Sequence, residues 1–284
     1  MKLLHNIRIF VILAFMTVGA SSCSEDWQEI GDAQVNFTAT IPTDCTTRTF
    51  GDAQHVNTLV VGIFRKNVTN EHASCGDGVK YHEIGRKLYP VNGTTVDIQC
   101  SLVQNQTYSF VFWAYDSDMS VYDIDNLTMI KMNAMPETLT FAQAEAADAF
   151  FAVMEDITIN GDKSYSVELV RPLAQFNVGT TGGAMQASFT AKAAPDTFYP
   201  FTNTVSGTSD FTWNLTKTTT ETFSVDDEDY NYLAMGYLFA PVTAVKIAAE
   251  LTVTKNGASK TMEIPQVEIQ ANRRSNIVGR ITLE

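Results

Sequence analysis

The 284-residue chain carries 19 Lys and Arg against 32 Asp and Glu, a formal net charge of −13. That balance excludes nucleic acid as a partner, because phosphate binding needs clustered cations. Frequent Thr, Val, Phe and Tyr between closely spaced turn residues point to an all-β chain, long enough for two modest domains.

The first element is "MKLLHNIRIFVILAFMTVGASSC", with Lys2 and Arg8, an apolar run from Ile9 to about Val18, and small residues up to Cys23. This is the layout of an export signal over residues 1–22. Its apolar run is about half the ~20 residues that a membrane-crossing helix needs. Ala20, Ser21 and Ser22 before Cys23 are similar to a bacterial lipobox, which implies a cut before Cys23 and acylation of that residue. The alternative is an ordinary signal cut near Ala20 or Ser22. Several acyl chains on Cys23 would anchor the protein stably in an outer membrane, where one chain binds only marginally.

Val35, Phe37, Ala39 and Ile41 alternate with Asn36, Thr38 and Thr40, the period of a half-buried strand. A polar connection containing Arg48 leads from it to the denser run "TLVVGIF" (Thr58–Phe64). Arg48 is then either a loop charge or a place where the chain is cut. "TVDIQCSL" (Thr95–Leu102) and "TYSFVFWAYD" (Thr107–Asp116) follow as strands. The second is apolar on both faces, so it belongs in mid-sandwich or beneath a covering segment. "AQAEAADAFFAVM" (Ala142–Met154) reads as one short helix, rich in Ala and Glu.

"SYSVELVRPLAQFNVGT" (Ser164–Thr180) reads as a long strand interrupted at Pro172, which lacks a ladder donor. "QASFTAKAA", "DFTWNLT" and "NYLAMGYLFAPV" are further strands, and Asn256-Gly257 closes a hairpin between two long ones. In the closing "RRSNIVGRITLE", Ile277, Gly279, Ile281 and Leu283 share a face. The expectation is two β-sandwich domains, residues 49–160 and 161–284, preceded by a lipidated leader, residues 23–48, that holds the first strand.

Few residues suggest chemistry. His55, His72 and His82 are scattered, with no metal-ligand spacing, Gly-rich phosphate loop or GxSxG turn around them. Asp116, Asp118, Asp123 and Asp125, and the run Asp226, Asp227, Glu228, Asp229, read as solvated acidic loops; the first lacks the glycine and closing glutamate of a calcium loop. Trp27, Trp113 and Trp213 could stack on sugars, although Trp113 lies in an apolar strand. Beside Cys23 the cysteines are Cys45, Cys75 and Cys100. Loss of Cys45 by a cut at Arg48 would leave Cys75 and Cys100 as an even pair that could be bridged; the alternative is that all three are unpaired, inert thiols. The expectation is no enzyme, no metal and no cofactor.

Taken together, the leader ending at Cys23, "TRTFGDAQHVNTLVVGIF", "TYSFVFWAYD", "DAFFAVMEDITI", "VELVRPLAQFNVGT" and "RRSNIVGRITLE" resemble the fimbrillins, the type V pilins of Bacteroidales, and fimbrillin-like surface lipoproteins. The resemblance implies two sandwiches of transthyretin-like topology and export as a surface lipoprotein. It also implies proteolysis after Arg48, making Thr49 the new N-terminus, and loss of the strand bearing Val35, Phe37, Ala39 and Ile41. A strand from another pilin subunit, or from a second copy, would fill the gap. Ile277, Ile281 and Leu283 have the alternation of a donor, or of a permanent C-terminal strand. Stalk, tip and anchor roles stay open, as does a monomeric module binding a glycan or protein on a host or bacterial surface.

Overall fold

A computed structural model describes residues 31–42, 55–66, 80–183, 185–215 and 221–283. In chain order the first strands are β1 (Asp32–Thr40), β2 (Thr58–Lys66), β3 (Tyr81–Pro90), β4 (Thr95–Val103) and β5 (Gln106–Tyr115). An excursion holding β6 (Tyr122–Asp123), β7 (Ile130–Met132) and helix α1 (Phe141–Ala146) precedes β8 (Ala149–Ile159) and β9 (Lys163–Glu168). Next come β10 (Leu173–Thr180), β11 (Gln186–Ala194), β12 (Thr197–Tyr199), β13 (Thr204–Ser206) and β14 (Ser209–Asn214). The chain closes with β15 (Thr222–Val225), β16 (Glu228–Phe239), β17 (Val245–Lys255), β18 (Ala258–Ile269) and β19 (Arg274–Gly279).

Strands in the orders β4-β1-β9 and β3-β2-β5-β8 form a first sandwich, and the orders β15-β16-β10-β19 and β14-β11-β17-β18 form a second. Both are wired alike. The first strand sits between an antiparallel neighbour (β4 or β16) and the last strand (β9 or β19), which runs parallel to it. The fold is all-β with one short helix, as the strand periodicities imply, and its sandwiches have the transthyretin-like topology that the resemblance implies.

The excursions knit the two halves together. β7, inserted between β5 and β8, pairs with β12, inserted between β11 and β14, in a small sheet ordered β13-β12-β7-β6. Phe198 of β12 reaches the first sandwich, 4.6 Å from Phe151 and 6.2 Å from Trp113 between ring centres. This explains the doubly apolar β5. Phe110 and Phe112 face the interior of the first sandwich, while Val111 and Trp113 face a second core continuous with the other half. A covering segment was needed, and a pair of insertions supplies it.

Two expectations are corrected. The helix stops at Ala146, because Phe150, Phe151 and Val153 belong to β8 and pair with β5. Six residues with a Thr140–Gln143 capping box are what the Ala-rich stretch sustains; beyond it, aromatic and branched residues gain more from the ladder and core. β9, placed after the boundary expected near Asn160, is hydrogen-bonded to β1 in the first sandwich, with Val167 and Leu169 in its core. The chain changes sandwich at 169–172, where Pro172 interrupts the strand pattern.

Candidate functional site

β1 is the middle strand of its sheet. It pairs antiparallel with β4 from Asp32–Val103 to Thr40–Thr95 and parallel with β9 from Val35–Lys163 to Thr40–Glu168. Strict alternation divides it in two: Ala33, Val35, Phe37 and Ala39 are fully buried, with Ile41 just beyond, and Gln34, Asn36, Thr38 and Thr40 are exposed. Phe37 is its anchor, 4.8 Å from Phe110, 5.4 Å from Phe112 and 5.6 Å from Tyr165 between ring centres. On the solvent side two links to described residues tie it down. Thr38 Oγ1 donates to Asp97 Oδ1 at 2.9 Å, and the Gln34 N–H donates to Asp162 Oδ1 at 2.8 Å.

Without β1, an apolar slot would open between β4 and β9, both with ladder groups unpaired on the facing side. Such an edge pair is a template for an incoming strand. The slot would have a wide position where Phe37 sits and narrow ones at Ala33 and Ala39. What it could do chemically is recognise a strand by shape and backbone hydrogen bonding. Cys23, Cys45, Arg48, Thr49, Trp27, His72 and Cys75, all singled out in the sequence, lie outside the described residues. Cys100 lies on β4 beside Val35 as a free, buried thiol, its pKa raised by burial.

Ile277, Ile281 and Leu283 are brought together elsewhere, against the core that runs through the second sandwich. β19 pairs parallel with β10 at that sheet's edge, and the Ile281 N–H donates to Thr180 Oγ1 at 3.1 Å. The backbone there passes so close that a Cβ on Gly182 would lie 2.0 Å from the Ile281 carbonyl oxygen. Ile277 lies in β19, and Ile281 and Leu283 follow it, all three partly buried against that core.

The acidic loops do not converge on a ligand. Asn57 Nδ2 donates to Asp116 Oδ1 at 2.7 Å, and the Asp118 and Asp125 N–H groups donate to Asp116 and Asp123, as in local turns. Among the described residues no three His, Cys, Asp or Glu are placed to hold a metal. Trp113 and Trp213 are fully buried.

One constellation escaped the sequence reading. Arg171, in the crossover between sandwiches, donates from Nε and one terminal nitrogen to the two carboxylate oxygens of Asp148, each at 2.7 Å, with both side chains buried. The guanidinium also lies over the Phe150 and Tyr237 rings, at 4.9 and 5.9 Å. Tyr122 donates to the Ala147 carbonyl at 2.5 Å. Burial first, then the Asp148 charge, holds the Tyr122 and Tyr237 hydroxyls far above their ordinary pKa. "VRP" and "ADAF" are distant in sequence and carry no motif, so only the fold could join them.

The chain belongs to the family of unknown function DUF6562, whose model matches residues 27–282. No curated protein matches the sequence. Among solved structures, it is similar to the tip fimbrial protein Mfa3 of Porphyromonas gingivalis at 12% identity, covering 89% of this chain and 96% of that one, with a TM-score of 0.47. A fimbrial assembly protein of Parabacteroides distasonis is similar at 12% identity, with 88% and 92% covered and a TM-score of 0.46. For the fimbrial anchor protein Mfa2 of Porphyromonas gingivalis the values are 11%, 81%, 82% and 0.45.

Proposed function

We propose that this member of the DUF6562 family is a fimbrillin-like cell-surface lipoprotein whose activity is assembly rather than catalysis. The observation that carries the reading is β1: a central strand with one face in the core, the other in solvent, and Arg48 in the connection that follows. The fimbrial proteins named above are similar in fold only, and the proposal stands on this chain's own residues.

In this reading, residues 1–22 direct export, acylated Cys23 holds the chain on the outer membrane, and cleavage after Arg48 frees Thr49. The leader departs with Val35, Phe37, Ala39 and Ile41, and two sandwich domains remain. Each large apolar side chain withdrawn gives up about 1.5–3 kcal/mol of burial, so β1 is held firmly yet replaceably. A strand from another pilin subunit, or from a second copy, restores the same contacts and joins the subunits. The conversion needs no cofactor or metal.

The test is the N-terminus of the mature protein taken from its native cell surface, read by mass spectrometry. A start at Thr49, with detergent-resistant ladders, supports strand exchange. A start at acylated Cys23 with β1 retained overturns it and leaves an intact lipid-anchored module that binds a surface ligand.

A further inference from the structure

Each sandwich begins and ends on neighbouring parallel strands. β1 and β9 are paired from Val35–Lys163 to Thr40–Glu168, and the Leu169 N–H extends the ladder to the Thr40 carbonyl at 2.9 Å. β10 and β19 are paired from Gln175–Arg274 to Thr180–Gly279. In a parallel pair the chain comes in at one end of the first strand and leaves at the opposite end of the last. Tension between those two points slides one strand along the other. All the hydrogen bonds of the ladder then share the load, and none can break alone. An antiparallel first and last strand would bring both points to the same end, where bonds open one at a time like a zip.

The two pairs lie in series, and the crossover between them is tied down. The Phe151 and Val170 backbones exchange two hydrogen bonds of 2.8 Å each. Next to this bridge, Arg171 is locked to Asp148 by the buried two-point ion pair. Leu173 then begins β10 directly after Pro172, whose carbonyl accepts from the Ala240 N–H at 3.2 Å. Pulling on the ends therefore meets shear in the first sandwich, a pinned joint, and shear in the second.

From this topology we infer a further function: the intact chain is a load-bearing element that transmits tension from its N-terminal to its C-terminal end through two shear-loaded parallel strand pairs. The inference applies in full to the chain that keeps β1; in a chain cut after Arg48 the β10–β19 pair is the one of these two that still carries load.

Single-molecule force spectroscopy on the full chain tests it by comparing two pulling directions in one protein. In the first, handles sit at the two termini. In the second, one handle is an azide-bearing residue at Lys255 and the other is the C-terminus. Lys255 and Leu283 line the same depression, so this pair of points lies at one end of the second sandwich. Pulling there peels β18 and β19 from that end. Forced unfolding is governed by the unfolding rate along the pulling direction, so the same fold should give different forces. End-to-end pulling should require a force several times that of the Lys255 geometry. Equal forces, or a lower force end to end, would overturn the inference.

Discussion

β1 and β10 occupy equivalent places in two sandwiches of the same wiring, yet they are held differently. β1 alternates buried and exposed residues, and its outer face of Gln34, Asn36, Thr38 and Thr40 meets solvent. β10 is buried at every position. Phe176 and Val178 fill its sandwich, and Gln175 and Asn177 on the opposite face are buried as well, Asn177 donating to Asn276 Oδ1 at 3.1 Å. A strand covered on one face can leave without disturbing anything except its own sandwich. A strand covered on both faces cannot. Topology alone does not make a strand removable; the second layer of cover decides it.

The comparison can be broken most forcefully at the joint. Asp148→Ala leaves the Arg171 guanidinium buried without its carboxylate, and urea denaturation should show a loss of about 3–5 kcal/mol. Replacing both, as Asp148→Leu with Arg171→Met, should recover most of it. Phe37→Ala strikes the anchor of β1, and truncating a buried phenylalanine should cost about 3 kcal/mol. A near-silent outcome there would mean that β1 is not held by its apolar face.

Native-state hydrogen exchange sharpens the contrast without mutation. The amides of β1 should open locally and exchange about tenfold or more faster than those of β10, a difference of ~1.4 kcal/mol. Equal protection would remove the distinction between the two strands. In the second sandwich, burial pushes the Tyr232 hydroxyl from 10.0 up to about 12. The unfolded chain gives up that proton first, so the stabilisation is full below pH 10 and falls as pH rises towards about 12. Tyr232→Phe should flatten the decline of the urea midpoint across that window. The smallest effect belongs to Thr38→Ala on the solvent face of β1, within about 0.5 kcal/mol by the same denaturation assay.

Much of this was legible before any fold was known. Period-two alternation marked β1, and Asn256-Gly257 marked the hairpin of β17 and β18, because both are local consequences of pleat geometry and positive φ. The short strands β6, β7, β12, β13 and β15 went unread, since two to four residues carry no measurable period. β3 escaped for a different reason. As an edge strand with Ile84 and Leu88 exposed, it shows no clean apolar face.

The residue order by itself determined the class of the fold, the apolar face of β1 and the break at Pro172, because each is written in consecutive side chains. The tertiary structure alone decided that β1 is a central strand, that β9 closes the first sandwich, and that Asp148 meets Arg171. It also decided that β10 is covered on both faces where β1 is covered on one. These are pairings between distant segments. They are settled by which apolar faces can be buried together, a choice that no short window of sequence contains.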